Sequence, residues 1–244
     1  MRRTTKLALA AGGATAALVG GALVRDRLGG TRSGAPPPDE AIFTVFAPGG
    51  KYAYWCNGPS GRVIAKVMPL LERNLYGAVA EMLDLRPDDE LLDIGCGPGA
   101  FLTAKAGHVR RVVGLDVSPT MLREAERRLA DRIEAGTARL VTASAVELPF
   151  EDGEFSAVTA INAPVKHAEA FRVLRPGGRL VFADPEPRRS STDPASDWAI
   201  PRWSEADHRR MFEDAGFTDV TTRFVGIPPL GSELLVRGRK PAMP

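Results

Sequence analysis

One stretch of the chain combines a buried-strand pattern, an acid and three glycines at alternate positions. It reads Leu-Leu-Asp-Ile-Gly-Cys-Gly-Pro-Gly-Ala over residues 91–100. The apolar half predicts a strand, and the glycines predict a tight turn into a helix, where the missing Cβ atoms let backbone lie directly against a ligand. Asp93 stands on the strand, two residues before the first glycine. The pattern therefore predicts a backbone cradle beside a carboxylate.

The spacing of these glycines separates two classes of nucleotide site. A dinucleotide-binding turn places its third glycine three residues after the second. Here Gly99 follows Gly97 by two residues, and the next predicted strand ends in a second acid, Asp116, 17 residues after Gly99. The spacing argues against a nucleotide-dependent oxidoreductase, which is kept as one alternative.

Five ordered motifs resemble those of the class I S-adenosylmethionine (SAM)-dependent methyltransferases. Two of them, Leu-Pro-Phe and Arg-Val-Leu-Arg-Pro-Gly-Gly, are similar to the type 11-like branch that methylates small molecules and lipids. The resemblance implies a methyltransferase with SAM as its cofactor and a small-molecule or lipid-like acceptor. The motifs occupy residues 91–100, 116–122, 144–150, 172–180 and 213–217.

The resemblance also implies a cofactor site. SAM has no phosphate, so its site uses acids where other nucleotide sites use helix N-termini and lysine. Asp93 would face the methionine ammonium, and Asp116 would accept the two ribose hydroxyls. The alternatives are a helix-capping role for Asp93 and the N-cap of the following helix for Asp116. The residues expected to bind the cofactor are Asp93, Gly95, Cys96, Gly97, Gly99, Asp116, Val117, Met121, Ser144, Ala145 and Asn162.

Three departures from the family pattern bear on activity. Ser144 stands where an acid usually holds the adenine amino group, and Ser156 replaces another usual acid in the fourth strand. The loop after that strand is also short, so residues 41–75 would have to close the site. If they do not, the alternative is a non-catalytic SAM-binding or scaffold module.

Catalytic residues are harder to predict, because methyl transfer from a sulfonium mainly requires positioning and exclusion of water. A base is needed only if the acceptor must lose a proton. The candidates at the end of the fourth strand are Asn162, in a segment similar to the Asn-Pro-Pro of amine methylators, and His167. A surface histidine is the alternative for His167. Cys56 and Cys96 have no metal-ligand spacing, so no metal site is expected.

The elements that must position these residues alternate between strands and helices. This alternation predicts an α/β fold with a doubly wound, mostly parallel seven-stranded sheet. An apolar helical pattern precedes it from Ile64 to Leu85, broken or kinked at Pro69. The predicted strands are 90–94, 110–116, 138–142, 155–161, 179–184, 218–225 and 232–238, and the helices between them are 98–106, 119–133, 165–174 and 204–215.

The N-terminal segment differs in composition from the rest of the chain. Residues 1–34 carry six Lys or Arg and one Asp, a net charge of +5, while the remainder has a net charge of −3. The folded part, with a negative net charge and no basic run, is therefore a poor candidate for binding nucleic acid. We divide the chain into an anchor or signal-like segment (1–28), a linker with an aromatic patch (29–60) and a methyltransferase domain (61–240).

Residues 7–24 form an uncharged run of 18 residues. At about 1.5 Å per residue, a helix of this length spans about 27 Å, close to a bilayer core. We expect an N-terminal hydrophobic helix that anchors the protein in the cell membrane. Because SAM is a cytosolic cofactor, the catalytic domain should face the cytoplasm. An export signal and a cytoplasmic protein are the alternatives.

Overall fold

The computed structural model describes residues 56–185, 203–228 and 231–242. The predicted hydrophobic helix over residues 7–24 lies outside these ranges, as do the anchor segment and most of the linker. Within the described residues, no helix is both long and apolar enough to span a bilayer.

The described chain forms a seven-stranded sheet flanked by helices. The strands are β1 (Glu90–Ile94), β2 (Arg111–Asp116), β3 (Ala138–Thr142), β4 (Phe155–Ile161), β5 (Leu174–Pro185), β6 (Thr218–Ile227) and β7 (Gly231–Arg239). The helices are α1 (Gly58–Leu71), α2 (Arg73–Leu83), α3 (Ala100–Lys105), α4 (Pro119–Arg128), α5 (Ala130–Glu134), α6 (His167–Val173) and α7 (Glu205–Asp214).

The order of the strands confirms the predicted doubly wound sheet. It runs β3-β2-β1-β4-β5-β7-β6. The first five strands pair in parallel, and β7 pairs antiparallel with both β5 and β6. The order reverses between β1 and β4, so a crevice opens at their carboxyl ends, where sheets of this kind bind ligands.

Helices cover both faces of the central strands. Val112 belongs to the core on one face of the sheet, with Leu75 of α2 and Phe101 of α3. The neighbouring Val113 belongs to the core on the other face, with Phe212 of α7. Because successive side chains of a strand point to opposite faces, strands covered on both faces must be apolar at nearly every position.

The helical segment before β1 breaks later than its proline predicts. The structure continues α1 through Pro69 and interrupts the helix at Glu72, before α2 begins. Proline removes the backbone N–H that would bond to Ala65 O, and the Arg128 side chain donates to that oxygen instead, at 3.0 Å. The carbonyl left free by Pro69 is thus satisfied by tertiary contact.

Two other element boundaries differ from prediction. The helix predicted over 119–133 bends at Leu129 into α4 and α5, although its hydrogen bonds continue: Leu129 N donates to Ala125 O and Ile133 N to Leu129 O. Strand β5 begins at Leu174 rather than 179, because Leu174 pairs with Phe155 before a register shift in the ladder.

Ser156, one of the departures from the family pattern, lies at the amino end of β4, away from the crevice. Its Oγ donates to Asp89 Oδ1 at 2.6 Å and accepts from Glu90 N at 3.0 Å. Arg179 is buried beside it, and its guanidinium donates to both Asp89 oxygens and to the carbonyls of Leu83 and Asp84. The serine therefore belongs to a buried polar cluster that joins α2, β1, β4 and β5.

Candidate functional site

A cavity opens at the carboxyl ends of β1, β2 and β4, where the strand order reverses. Ten of the eleven predicted cofactor residues line it. The exception is Gly99, which is the N-cap of α3. The lining residues that the prediction did not include are Cys56, Ile64, Met68, Glu72, Tyr76, Pro98, Phe101, Leu115, Ala143, Ile161, Ala163 and Pro164.

The glycine turn has the backbone conformation that its sequence predicts. Gly95 has φ of +70° and Gly97 has φ of +52°, in the left-handed region that favours glycine. A Cβ on Gly95 would lie 2.3 Å from the Cβ of Ala163, whereas a Cβ on Gly97 would meet no atom within 4 Å. Gly95 is therefore required by packing, and Gly97 leaves backbone exposed to the cavity.

Asp116 closes this turn from the end of β2. One of its carboxylate oxygens accepts from Gly97 N at 2.9 Å and the other from Ser118 N at 2.8 Å. Burial raises its pKa, although the backbone donors of Ser118, Gly97 and Val117 oppose the shift. The N-cap of α4 is Ser118, whose Oγ accepts from Met121 N, so the N-cap alternative for Asp116 is wrong.

Asp93 presents a second buried carboxyl group to the cavity, and only 2% of its surface is exposed. Burial, and then the charge of Asp116, raises its pKa well above the ordinary aspartate range. Because Gly99 occupies the N-cap of α3, the helix-capping alternative for Asp93 is wrong. A cation between the two carboxylates would offset both the desolvation and their mutual repulsion.

Four more of the predicted cofactor residues, Val117, Met121, Ser144 and Ala145, also line the cavity. Met121 and Ala145 are buried, and both supply apolar surface. The Ser144 hydroxyl accepts from Val146 N at 3.2 Å, so the residue that replaces the usual acid is already engaged with local backbone.

Residues before β1 form the wall that the short loop leaves open. Within the described part of segment 41–75, Cys56, Ile64, Met68 and Glu72 line the cavity. The start of α1 is tied to the site because Ser118 Oγ donates to Cys56 O at 2.8 Å. The described part of this segment, residues 56–75, thus contributes to the wall of the cavity, as predicted.

Asn162 and His167 have different surroundings. Asn162 lines the cavity, whereas His167 does not. The His167 ring packs against Phe182 and Phe212, with centroids 5.8 and 4.8 Å apart. Burial lowers the pKa of His167 to about 3. The imidazole lies in this aromatic cluster outside the cavity, so the prediction of a base at His167 is wrong. The surface alternative is wrong as well, because Nε2 is buried.

Glu72 and Tyr76 were not predicted as site residues from the sequence. Both line the cavity, and the Tyr76 hydroxyl donates to Glu72 Oε2 at 2.8 Å. The available signal was the spacing of Glu72, Tyr76, Val79 and Leu83, which places an acid on the apolar face of the helical segment. In the described residues, no cluster of His, Cys, Asp and Glu has the arrangement of a metal site.

The chemistry of the donor set fits SAM. The buried Asp93 and the half-buried Asp116 suit a ligand that brings cationic and hydroxyl groups, and the backbone at Gly97 is open to it. An anion site would require a lysine or an arginine. Among the described residues, neither lines the cavity.

Comparisons with known proteins agree with this site. Residues 91–178 match the family model of a methyltransferase domain. A demethylmenaquinone methyltransferase from Tropheryma whipplei is 30% identical over 66% of this chain and 80% of its own. The erythromycin 3''-O-methyltransferase of Saccharopolyspora erythraea is 28% identical over 70% of this chain and 62% of its own.

A solved SAM-dependent methyltransferase from Thermotoga maritima superposes with a TM-score of 0.53 at 20% identity, over 83% of this chain and 99% of its own, and so shares the fold. The chain spans about half or less of three other curated relatives, with matches over 35%, 54% and 42% of their lengths. The motifs, the sheet order, the carboxylate-lined cavity and the Tropheryma whipplei relative together show that this chain belongs to the class I SAM-dependent methyltransferase family.

Proposed function

We propose that this protein transfers the methyl group of SAM to a small-molecule acceptor. The observation that carries the proposal is a pair of acids, the buried Asp93 and the half-buried Asp116, on either side of an open glycine turn. Burying two carboxylates costs free energy unless a partner compensates them, and such costly pairs concentrate at ligand sites.

Each part of the cavity has a proposed role toward the cofactor. Asp93 binds the methionine ammonium, and Asp116 binds the ribose hydroxyls with the lone pairs that Gly97 and Ser118 leave free. Met121 and Ala145 hold the adenine ring. Bound SAM supplies a methyl carbon already activated by its sulfonium, so the residues around it need only orient the acceptor and exclude water.

The wall formed by α1 and α2 supports an acceptor with an apolar body. Ile64 and Met68 contribute aliphatic surface to the cavity, next to the polar group at Glu72. The relatives named for demethylmenaquinone and erythromycin also act, by their names, on small molecules. A lipid-like acceptor is consistent with the same surface.

Two measurements test this function on the full-length protein. Calorimetry should show binding of SAM and of its demethylated product, S-adenosylhomocysteine (SAH). Incubation with methyl-deuterated SAM and a metabolite and lipid extract of the source organism should then yield a labelled product by mass spectrometry. Binding without any labelled product would favour the scaffold alternative. Absence of binding, with a response to NADH in a fluorescence titration, would favour the oxidoreductase.

We also propose that residues 7–24 tether the protein to the cytoplasmic face of the cell membrane, with 29–60 as linker and 61–240 as the catalytic domain. The support is the uncharged run of 18 residues between two basic flanks. The native protein should sediment with membranes and keep its N-terminus by intact-mass measurement. A variant lacking residues 1–28 should stay in the supernatant. A mature form that begins after residue 24 would instead indicate export, and a full-length protein in the supernatant would contradict the tether.

A further inference from the structure

Glu72 is a buried carboxyl group on the cavity wall that neither the motifs nor the family resemblance assigns. It lies at the break between α1 and α2, and 8% of its surface is exposed. Its two oxygens accept from different parts of the fold: Oε2 from the Tyr76 hydroxyl at 2.8 Å, and Oε1 from Asn162 Nδ2 at 3.2 Å. Two neutral donors therefore hold the carboxylate in a single orientation.

The charges around Glu72 do not neutralise it. None of the lysines or arginines in the described ranges forms an ion pair with it. Burial raises the pKa of Glu72, and the hydrogen bonds from Tyr76 and Asn162 partly oppose the shift. Two further charged groups, Asp93 of β1 and Arg128 of α4, act electrostatically on the neighbouring Tyr76 hydroxyl. A carboxylate with these surroundings is a stronger base than an exposed glutamate.

Asn162 lines the cavity and has one side-chain atom without a hydrogen-bond partner. It has φ of +52° at the end of β4, and its Oδ1 is buried without a hydrogen-bond partner in the described structure. The Glu72 carboxylate needs a donor, which fixes the amide with Nδ2 toward Glu72 and Oδ1 away from it. A buried acceptor without a partner on a cavity wall calls for a donor on the molecule that enters.

We infer that Glu72 is the catalytic base of this enzyme, that it takes the proton of a hydroxyl group on the acceptor, and that Tyr76 and Asn162 position it. The inference rests on the proposed methyl transfer. The acceptor oxygen forms a new bond to the methyl carbon while the carbon–sulfur bond breaks and its electron pair stays on sulfur. The hydroxyl proton moves to Glu72 and then to solvent, and the products are a methyl ether and SAH.

The choice of a hydroxyl acceptor follows from the need for a base. A neutral amine attacks through its lone pair and loses its proton only after the methyl group has moved, so it requires no base in the transfer step. A neutral hydroxyl is a poor nucleophile until its proton is removed. A buried carboxylate with raised basicity, placed beside an apolar wall, suits an alcohol or phenol.

The first experiment locates Glu72 relative to the sulfonium without any turnover. SAM and SAH share the ammonium and differ in the positive charge on sulfur. Proton release on binding each ligand is measured by calorimetry in two buffers of different ionisation enthalpy, across acidic to neutral pH. Contributions from Asp93, which faces the shared ammonium, cancel in the difference. The positive charge on the sulfur of SAM lowers the pKa of a carboxyl group that faces the methyl group. If Glu72 is that group, more protons must be released when SAM binds than when SAH binds.

Glu72→Gln should abolish this difference while SAM still binds. The matched control is Glu81→Gln in the adjoining helix α2, whose exposed side chain pairs with Arg223 and should leave the difference unchanged. A difference that persists in Glu72→Gln would overturn the inference, as would a folded Glu72→Gln protein that binds neither ligand. If Glu72→Gln does not fold, Glu72→Asp takes its place and should reduce the difference. Failure of the wild-type protein to bind SAM would contradict the proposed function instead.

The second experiment uses the labelled product from the extract incubation. The deuterated methyl group should be on oxygen, and its attachment to nitrogen or sulfur would overturn the inference. Glu72→Gln should lower kcat by about 100-fold or more, a typical contribution of general-base catalysis. The wild-type kcat should fall as pH decreases through the raised pKa of Glu72. Tyr76→Phe should move that acidic limb to higher pH, because it removes a donor to the ionised carboxylate; an unchanged limb would contradict the positioning role.

Discussion

Replacement of Asp116 by alanine should weaken SAM binding by about 100-fold or more, whereas Ser144→Ala should weaken it by about tenfold or less. A carboxylate that accepts two ribose hydroxyls makes two charge-assisted hydrogen bonds, each worth about 1.5–3 kcal/mol. The Ser144 hydroxyl, already bonded to Val146 N, offers at most one neutral bond of about 1 kcal/mol. Each tenfold change in affinity corresponds to about 1.4 kcal/mol.

The Asp116 variant also tests the glycine turn. Its carboxylate accepts from Gly97 N, so its removal frees the backbone that faces the cavity. Calorimetric titration with SAM and SAH measures the effect, and circular dichroism checks that the fold survives. Asp152→Ala, whose side chain is 81% exposed, is the matched control and should bind as the wild type does. Equal losses for Asp116→Ala and Ser144→Ala would mean that the ribose is bound elsewhere.

Replacement of Arg179 by methionine should lower the free energy of unfolding by about 3–5 kcal/mol, the usual cost of removing one partner of a buried ion pair. Arg179 and Asp89 have side chains that are 6% and 3% exposed. The substitution leaves Asp89 as an uncompensated buried charge and removes the donors to the carbonyls of Leu83 and Asp84. Urea unfolding followed by circular dichroism measures the change.

Two further variants make the stability prediction specific. Arg127→Met removes an exposed arginine that pairs with Glu124, and it should change stability by less than about 0.5 kcal/mol. Adding Asp89→Ala to Arg179→Met should recover part of the loss, because the buried unpaired charge is then gone. An Arg179→Met protein within about 1 kcal/mol of the wild type would contradict the prediction.

The ion pair of Arg179 and Asp89 also predicts how the free energy of unfolding depends on pH. Burial raises the pKa of Asp89, but hydrogen bonds from Arg179 and Ser156 outweigh it, so the net shift is downward. A carboxyl group with a lowered folded pKa contributes stability above its unfolded pKa of about 3.9 and loses it as pH falls through the folded pKa. The difference between wild type and Arg179→Met should therefore shrink in acid.

Much of the fold was predictable because its signals are local. The strand that ends at Ile94, the glycines that follow it and the acid at position 116 lie within one strand–turn–helix–strand unit. Their apolar periodicity and glycine spacing specify that unit without reference to distant residues. The cavity lining confirms that Asp93 and Asp116 meet, because adjacent parallel strands end at the same edge of the sheet.

Other features depended on contacts between distant segments. Pro69 predicted a break in the first helix, but the helix continues because Arg128 satisfies the carbonyl that proline leaves free. His167 was a candidate base by its position, but its ring packs against Phe182 and Phe212 outside the cavity, and its Nε2 is buried. Neither outcome is encoded near the residue concerned.

The amino-acid sequence by itself determined the class of the fold, the glycine turn and the two acids that we propose bind the cofactor, since each depends on residue types a few positions apart. Only the tertiary structure decided which side chains form the wall that we propose faces the acceptor. Glu72 and Asn162 are 90 residues apart, and they meet because α2 packs over the end of β4. That packing buries a carboxylate and holds it between two neutral donors, an environment that no local pattern specifies.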